Sequence, residues 1–437
     1  MTWSINLGMP RIGPRREIKR AVERYWSGGI DAAELARAAR ARRADAWRTQ
    51  RAAGIDSIPS NDFSLYDQVL DTCCLVGAVP ERFGWQGGPV DLDTYFAMAR
   101  GTEREGTAVP PLEMTKWFDT NYHYLVPELG PDSEFRLAST KPVDELVEAR
   151  DLGIGTRPVL VGPVTFLRLA TGTEPGFDPL DLLDRLLPVY GEVLARLGAA
   201  GAAWVQLDEP CLVTDLDDAA KHALRRAYET LAAASGPARL LLATYFGGLG
   251  DNLDLTADLP VDGLHVDLVR APGQLAAVTD RVAAGPGDRV LSAGIVDGRN
   301  VWRTDVRAAL GALGDAHRRL GDRLWVGPSC SLQHVPHDID AEDALDADLR
   351  EWLAFADQKL GEVATLTAAL NHGADDPAVT TRLRASDTAV AARRRAQREA
   401  EAHRRRARGE VEAGAGPHGE AAARRGAHGE ASGSAEG

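Results

Sequence analysis

The sequence has no run of 18 apolar residues, and its first residues, MTWSINLGMPR, lack the apolar core of a signal peptide. We therefore expect neither a membrane span nor a secretory leader. Cysteine is scarce as well, because the chain has only Cys73, Cys74, Cys211 and Cys330. Adjacent cysteines such as the first two rarely bond to each other, so the expectation is a reduced, cytoplasmic protein.

Positive charge is also in deficit, since 50 Lys and Arg stand against 64 Asp and Glu, for a formal net charge of −14. A chain this acidic is not expected to have nucleic acid as its main partner, although local basic clusters can still bind small anions. The 437 residues are 44% hydrophobic and 26% charged. This composition is typical of one large globular domain or two modest ones.

Short apolar runs rich in β-branched residues recur along the chain, and amphipathic segments of helical period lie between most of them. The runs are residues 4–12, 55–62, 159–167, 204–212, 239–246, 263–269, 290–299 and 324–332. Eight buried strands that alternate with helices predict an α/β fold with a single (βα)8 TIM-type barrel. A doubly wound open sheet is the alternative.

In such a barrel the chemistry lies at the C-terminal ends of the strands. Polar residues follow the predicted strands at Asp208, Glu209, Thr244, Tyr245, His265, Asp267, Asp297, Asn300, Ser329 and Cys330. The stretch from Asp62 to Pro158 is too long for one crossover helix, so we expect an insertion between strands two and three that covers this face. Asp31 and Glu34 form a capping-box pattern that predicts a helix start.

The sequence changes character after residue 371. Residues 380–410 are rich in Arg and Ala and predict a helix, whereas the remainder is Gly, Ala, Glu and Arg without an apolar pattern. Such a segment cannot build a core and predicts a disordered tail. We therefore divide the chain into a barrel (1–371), a charged helical linker (372–410) and a low-complexity tail (411–437).

The opening segment, GMPRIGPRREIK at residues 8–19, combines a Gly- and Pro-rich turn with a helix start. Arg15, Arg16 and Lys19 are expected in the first turns of that helix. A helix start already carries partial positive charge, so clustered cations there indicate an anionic ligand. The alternative is a solvated basic face that uses Glu17 as its local partner.

A second segment, EMTKWFDTNYHYLVPE at residues 113–128, places aromatic rings beside Lys116, Asn121 and His123. Stacking rings next to polar donors suit a flat heteroaromatic ligand. An aromatic staple that holds the insertion to the barrel is the alternative, and it is the preferred one on these residues alone.

Two pairs of titratable residues end predicted strands. Asp208 and Glu209 could form a general acid–base pair, but carboxylates that orient nearby loops and helix starts are the preferred interpretation. His265 and Asp267 share one face of a strand because they are two residues apart, so we expect a structural pair in the barrel interior.

Cys330 precedes His334, His337 and Asp338, and this spacing would permit a metal site. A buried thiol at Cys330 is the preferred interpretation. Cys73 and Cys74 lie in a hydrophobic helical stretch, and we expect both to be packing residues.

Several segments together resemble the N-terminal half of cobalamin-independent methionine synthase, the 5-methyltetrahydropteroyltriglutamate–homocysteine methyltransferase. They occur in family order at residues 8–19, 53–70, 113–128, 159–167, 204–210, 263–269, 294–303 and 329–332. The resemblance implies a fold of two facing (βα)8 barrels and a methyl donor that is a folate with a polyglutamate tail.

The resemblance also implies which residues contact the folate. The candidates are Arg15, Arg16, Glu17, Ile18 and Lys116, with Lys19 as a weaker one. A polyglutamate tail is a chain of carboxylates, and a basic helix start would hold it. The resemblance therefore favours the anion-binding interpretation of the opening segment.

Zinc and homocysteine belong to the second barrel in the family, where zinc keeps the thiol in its nucleophilic thiolate form. No segment matches that barrel, and Thr244, Tyr245 and Phe246 at the analogous strand end cannot bind zinc. We therefore expect no catalytic residue and no metal ligand in this chain.

The sequence thus predicts the folate-binding half of the methyl transfer to homocysteine in methionine biosynthesis. A zinc-bearing barrel, which a separate polypeptide could supply, is expected to be needed for turnover. The alternatives are a non-catalytic folate-binding or regulatory remnant and a truncated, inactive synthase.

Overall fold

The computed structural model describes residues 1–104, 106–285 and 287–414. The strands are β1 (Trp3–Ser4), β2 (Ile58–Ser60), β3 (Thr102–Arg104), β4 (Thr107–Val109), β5 (Met114–Lys116), β6 (His123–Leu125), β7 (Glu128–Leu129), β8 (Thr156–Val161), β9 (Thr171–Gly172), β10 (Trp204–Asp208), β11 (Arg239–Ala243), β12 (Gly263–Asp267), β13 (Val290–Val296) and β14 (Leu324–Pro328). The α-helices are α1 (Glu17–Trp26), α2 (Ala32–Ala52), α3 (Gln68–Val76), α4 (Leu92–Arg100), α5 (Lys141–Asp151), α6 (Pro163–Arg168), α7 (Leu183–Ala199), α8 (Asp218–Ala234), α9 (Leu253–Asp258), α10 (Leu275–Ala284), α11 (Val306–Leu320), α12 (Ala347–Trp352), α13 (Ala356–His372) and α14 (Pro377–Gly414).

Eight of the described strands form one parallel sheet in the order β1-β14-β13-β12-β11-β10-β8-β2. A parallel bridge between Ile5 and Ser57 joins the two edge strands, and the Asn6 N–H donates to the Ser57 carbonyl at 3.2 Å. Each of the eight predicted apolar runs therefore contributes one strand. The strands are shorter than the runs, because the last residues of each run leave the sheet as loops or short helices.

The strands are buried on both faces, as parallel sheets covered by helices must be. In β8, every residue from Arg157 to Val161 is buried, and β10, β12 and β14 are buried throughout. Leu, Val and Ala dominate these strands and pack with α7, α8, α11 and α13 in one large hydrophobic core.

One buried cation ties the first strands of the sheet together. Arg157 on β8 donates to the Gln206 side chain on β10 at 2.9 and 3.1 Å, to the Asn6 carbonyl at 2.6 Å and to the Ser57 carbonyl at 3.3 Å. Burial lowers the pKa of Arg157 to about 9, and the charge of Asp208 opposes that effect. The guanidinium is therefore still a cation at neutral pH.

The predicted insertion lies between β2 and β8 and contains α3, α4 and the hairpins β3–β4 and β5–β6. It has its own hydrophobic cluster, the insertion core, which it shares with α1 and α2. Members of the insertion core include Ile18, Leu35, Leu70, Phe96 and Leu125. The first helix and the β5–β6 hairpin are therefore anchored on the same apolar surface.

The helical predictions are confirmed at one point and extended at another. The capping box of Asp31 and Glu34 is present at the start of α2. Helix α14 continues to Gly414, past residue 410 where the predicted linker ends, and residues 415–437 of the predicted tail lie outside the described residues.

All four cysteines are free and buried. None of the described helices has the length and apolar character that crossing a membrane requires.

Candidate functional site

The opening segment leaves β1 and runs across the C-terminal ends of the strands, a face that we call the barrel mouth. The Met9 N–H donates to the Asp62 carboxylate at 2.9 Å, and the Leu332 N–H donates to the Gly8 carbonyl at 2.9 Å. Burial raises the pKa of Asp62 to about 6, while its bond from Met9 opposes the shift. The segment is thus fixed to loops that follow β2 and β14.

The first helix begins later than the sequence predicts. Helix α1 starts at Glu17, and Arg16 is its N-cap with a left-handed backbone, φ 60°, and no side-chain cap. Arg15 therefore precedes the helix instead of lying in its first turn. The physical reason is the turn at Gly13, φ 86°, where the Glu17 carboxylate folds back and accepts from the Arg15 N–H at 3.1 Å.

The predicted folate residues of this segment differ in their surroundings. Arg15, Arg16, Glu17 and Lys19 are exposed, whereas the Ile18 side chain is 1% exposed and belongs to the insertion core. Lys19 pairs with Glu23 at 3.8 Å. Arg15 and Arg16 form no ion pair with any described residue, so both guanidinium groups are available to an anion.

Lys116 lies on the β5–β6 hairpin, which we call the mouth hairpin. It is exposed at the end of β5 and stands opposite His123 on β6. Within the described part of the chain Lys116 has no acidic partner. Asp67, the N-cap of α3, accepts from the Leu125 N–H at 3.2 Å and so attaches the hairpin to α3. Burial raises the pKa of Asp67 to about 7, against its backbone hydrogen bonds.

Some aromatic residues of the hairpin pack in the core, and another lies at the barrel mouth. Trp117 and Tyr124 are buried, and their rings meet edge to face with centroids 6.0 Å apart. Both residues also belong to the large hydrophobic core of the sheet, so they form the aromatic staple that was the preferred interpretation of the sequence. Tyr122 meets His334 at 6.1 Å across the mouth, so part of the aromatic surface also borders open space.

Two cavities lie in this region and differ in size. The enclosed one, lined by Asn61, Asp62, Lys141 and Asp208 among others, has a volume of about 30 Å³, which is room for about one water molecule. The open one at the mouth has a volume of about 310 Å³ and is lined by Thr120, Asn121, Tyr122, Arg299, Gln333 and His334. Of these two cavities, the open one has the size of a small-molecule site and the enclosed one does not.

Asp208 and Glu209 are both buried, and each is engaged by neighbouring groups. Glu209 accepts from the backbone N–H groups of Val164 and Thr165 at 3.2 and 2.7 Å at the start of α6. Asp208 accepts from the Gln206 amide at 2.6 Å and from the Tyr245 hydroxyl at 2.9 Å. The geometry agrees with the orienting interpretation. Burial raises the pKa of Asp208 to about 7, and its two hydrogen bonds oppose the shift.

Replacing Asp208 by asparagine is expected to change how stability depends on pH. The folded-state pKa of about 7 lies above the ordinary value of 3.8, so the folded protein holds a proton that the unfolded chain has released. The native free energy of unfolding therefore falls as the pH rises between these values, by at most about 1.4 kcal/mol per pH unit. The Asn variant lacks this contribution.

Urea unfolding at about pH 5 and about pH 7 measures the effect. Between these two pH values, the free energy of unfolding of the variant should rise by about 2 kcal/mol relative to that of the native protein. Asp181→Asn is the control because Asp181 is exposed. A native-minus-variant difference that does not change with pH would show that Asp208 is ionised throughout.

The predicted pair of His265 and Asp267 does not form, and that prediction is wrong. His265 bonds to the Ser292 hydroxyl at 2.8 Å. Asp267 accepts instead from the backbone N–H groups of Phe246, Val269 and Arg270. The reason is that the loops after β11 and β12 offer free N–H groups that satisfy the carboxylate. Burial lowers the pKa of His265 to about 3, so it is neutral.

The residues that invited a metal interpretation have other partners. Cys330 is fully buried, and burial raises the pKa of its thiol. His337 bonds to Arg42 at 2.6 Å, and the His334 ring lies 5.4 Å from the Phe246 ring. Burial lowers the pKa values of His334 and His337 to about 4. No group of three or more His, Cys, Asp or Glu among the described residues could hold a metal ion.

Sequence reasoning missed one feature of the mouth. Asp119 at the tip of the mouth hairpin binds Arg270 and Arg299, which follow β12 and β13. A signal existed, because each arginine stands two or three residues after a strand-end aspartate, in DLVR and DGR. Only the folded chain brings the three residues together.

The chain is similar to known proteins over most of its length. A family model described as the cobalamin-independent synthase N-terminal domain matches residues 3–321. A relative from Caulobacter vibrioides is 55% identical over 403 residues, which cover 88% of this chain and 51% of that protein. One from Chelativorans sp. is 57% identical over 374 residues and covers 84% and 48%, respectively. Both are named 5-methyltetrahydropteroyltriglutamate–homocysteine methyltransferase, and the chain spans about half their length.

Solved structures show the same fold at low sequence identity. A putative vitamin-B12 independent methionine synthase from Listeria monocytogenes has a TM-score of 0.57 and 13% identity, covering 85% of this chain and 98% of its own. A B12-independent methionine synthase from Shewanella sp. W3-18-1 has a TM-score of 0.54 and 12% identity, covering 78% and 90%. Since this N-terminal domain model matches residues 3–321, most of the sequence, the chain belongs to the cobalamin-independent methionine synthase family.

Proposed function

We propose that the barrel mouth binds methyltetrahydrofolate through its polyglutamate tail and that the chain is the folate side of a methyl transfer to homocysteine. The observation that carries the proposal is the set of exposed cations Arg15, Arg16 and Lys116, which have no acidic partner among the described residues. In a chain with a net charge of −14, exposed cations on the opening segment and on the mouth hairpin, which are anchored on the same insertion core, favour an anionic ligand. The printed name of the relatives contains a triglutamate substrate.

The scaffold in this proposal is a single (βα)8 barrel that spans residues 1–371. It is supported by the bridge between Ile5 and Ser57, which joins the edge strands of the parallel sheet. The insertion then supplies Lys116, and the loop after β1 supplies Arg15 and Arg16. Residues 372–410 act as a helical linker, and 411–437 as a low-complexity tail.

Each candidate residue has a role in this proposal. Arg15, Arg16 and Lys116 bind tail carboxylates, and Lys19 contributes from the next turn when it leaves Glu23. Glu17 holds the Arg15 backbone in place. Ile18 acts through packing, since its side chain lies in the insertion core, and its predicted contact with the folate is limited to the backbone.

Zinc and homocysteine do not fit the described residues. At the strand end after β11, Thr244 bonds to the His265 carbonyl, Tyr245 bonds to Asp208, and Phe246 offers no ligand atom. We therefore assign the zinc site and the homocysteine site to a separate zinc-bearing barrel. The four free, buried cysteines support a reducing, cytoplasmic location.

Replacing Lys116 by alanine is expected to weaken the binding of methyltetrahydrofolate triglutamate about tenfold, because one charge-assisted contact to a tail carboxylate is lost. Binding of the monoglutamate should change less than about twofold, since that ligand lacks the outer carboxylates. Titration calorimetry on the full chain measures both affinities.

Lys221→Ala is the control for that substitution, because Lys221 lies on α8 in the outer layer of helices. Its affinity for both ligands should match that of the native chain. Equal losses for the two folates in Lys116→Ala would place Lys116 near the pteridine or make it structural, and the tail assignment would then be wrong.

A chain that binds folate tightly but never supports turnover with a zinc-bearing barrel would be a binding module.

A further inference from the structure

Asp119 lies in the turn of the mouth hairpin and is shared by two arginines from different strand ends. Its Oδ2 accepts from Arg270 Nη2 at 2.5 Å, and its Oδ1 accepts from Arg299 Nη1 at 2.7 Å. The Asp119 carbonyl accepts a further bond from Arg299 Nη2 at 3.0 Å. Two guanidinium groups on one carboxylate form the kind of geometry with which proteins bind carboxylate ligands.

The main chain at both arginines is held by residues of the barrel strands' ends. Asp267 accepts from the Arg270 N–H at 2.9 Å, and Asp297 accepts from the Arg299 N–H at 2.9 Å. The Arg299 guanidinium also lies 5.1 Å from the centre of the Phe246 ring. The barrel therefore sets where both arginines leave the main chain and where the Arg299 guanidinium lies, whereas Asp119 reaches them from the insertion.

Two aromatic residues beside the contact of Asp119 with the arginines have left-handed backbone angles. Phe118, the residue before it, has φ 51°, and Phe246, whose ring lies 6.0 Å away, has φ 78°. Bulky residues rarely adopt such angles, and strain of this kind concentrates at ligand clamps and switches. Asp119 and Arg270 are also 55% and 47% exposed, so their ion pair stabilises the hairpin only weakly. A ligand carboxylate can therefore compete with Asp119.

The open cavity of the mouth adjoins the same arginine. Arg299 lines it together with Tyr122, Gln333 and His334. Burial lowers the pKa of His334 to about 4, and the charge of Arg299 adds to that shift, so the ring is neutral. An aromatic wall beside a guanidinium suits a ligand in which an aromatic ring is joined to a carboxylate.

We propose that Arg270 and Arg299 form a carboxylate subsite, which Asp119 fills in this structure and which takes a glutamyl carboxylate of the bound folate. The inference rests on the proposed function, because that function supplies the ligand. The exchange breaks no covalent bond: the ligand carboxylate takes the two guanidinium groups, and the Asp119 carboxylate turns to solvent. Asp119 thus lowers the apparent affinity according to the fraction of time that it occupies the arginines.

The test compares Asp119→Asn with Asp184→Asn in the full chain. Asp184 is a matched control because it pairs with Arg226 at 2.5 Å on the outer helices, with both side chains 63% exposed, and the charge change is the same. We expect Asp119→Asn to bind methyltetrahydrofolate triglutamate about fivefold more tightly and Asp184→Asn to bind it like the native chain. Adding Arg270→Gln to Asp119→Asn should abolish the gain.

The hairpin is expected to survive the substitution, because Trp117 is fully buried and Asp67 holds the Leu125 N–H. Affinities of Asp119→Asn and Asp184→Asn that do not differ would overturn the subsite while leaving the proposed function intact. If the native chain binds no folate, the proposed function fails, and p-aminobenzoyl triglutamate decides the subsite. If the Asp119→Asn variant binds this probe and the additional Arg270→Gln substitution abolishes that binding, the subsite is supported. If the Asp119→Asn variant does not bind the probe, the subsite is rejected.

Discussion

Replacing Arg157 by methionine is expected to lower the free energy of unfolding by about 3–5 kcal/mol. The guanidinium donates to Gln206, Asn6 and Ser57 inside the barrel. Methionine would remove this donor from all three residues, although the Ser57 carbonyl keeps its bond from the Asn6 N–H. The effect should be large because the same contacts link β8 and β10 to the loops beside β1 and β2, where the edge strands of the sheet meet.

Urea unfolding followed by circular dichroism measures this loss. Arg150→Met is the matched control, since Arg150 is exposed and its side chain donates to the Ala200 carbonyl at 3.0 Å. Its effect should stay below about 0.5 kcal/mol. If Arg157→Met unfolds within about 1 kcal/mol of the native protein, the interior network does not hold the sheet together.

Reversing the charge at both Arg15 and Arg16 to glutamate is expected to weaken the binding of methyltetrahydrofolate triglutamate about 100-fold. Two attractive cations become two repulsive anions at a face that should meet several carboxylates, and two reversals at exposed positions correspond to about 2.7 kcal/mol. The loss should shrink as the salt concentration rises, because exposed charges are screened.

The matched control is the double reversal of Arg395 and Arg398 on α14. Both are exposed, and the change in net charge is identical. Titration calorimetry should give the control nearly the native affinity. Triglutamate binding that is equally weak in both double variants would show a general charge effect and not a local anion site.

The sheet could be predicted from the sequence because its strands are buried on both faces. Runs such as LLLA in β11 and the Val- and Leu-rich β8 carry a continuous apolar signal, and eight such runs between amphipathic helices indicate the barrel architecture. The strand ends were less predictable, since backbone hydrogen bonding decides where a strand gives way to a loop.

The details of the mouth depend on contacts that sequence spacing does not reveal. The start of α1 shifted to Glu17 because Gly13 allows the Glu17 side chain to fold back. Asp267 turned to neighbouring N–H groups instead of His265. The partners of Asp119 are 151 and 180 residues away, so only the closed fold brings them into contact.

The proposed function depends on recognition of the polyglutamate tail of a folate by the barrel mouth. Titration of the unmodified chain with methyltetrahydrofolate bearing one or three glutamates tests it most directly, at about 50 and about 300 mM salt. We expect the triglutamate to bind at least about tenfold more tightly, and higher salt to reduce this difference. Equal affinity for the two folates, or binding of neither, would contradict it.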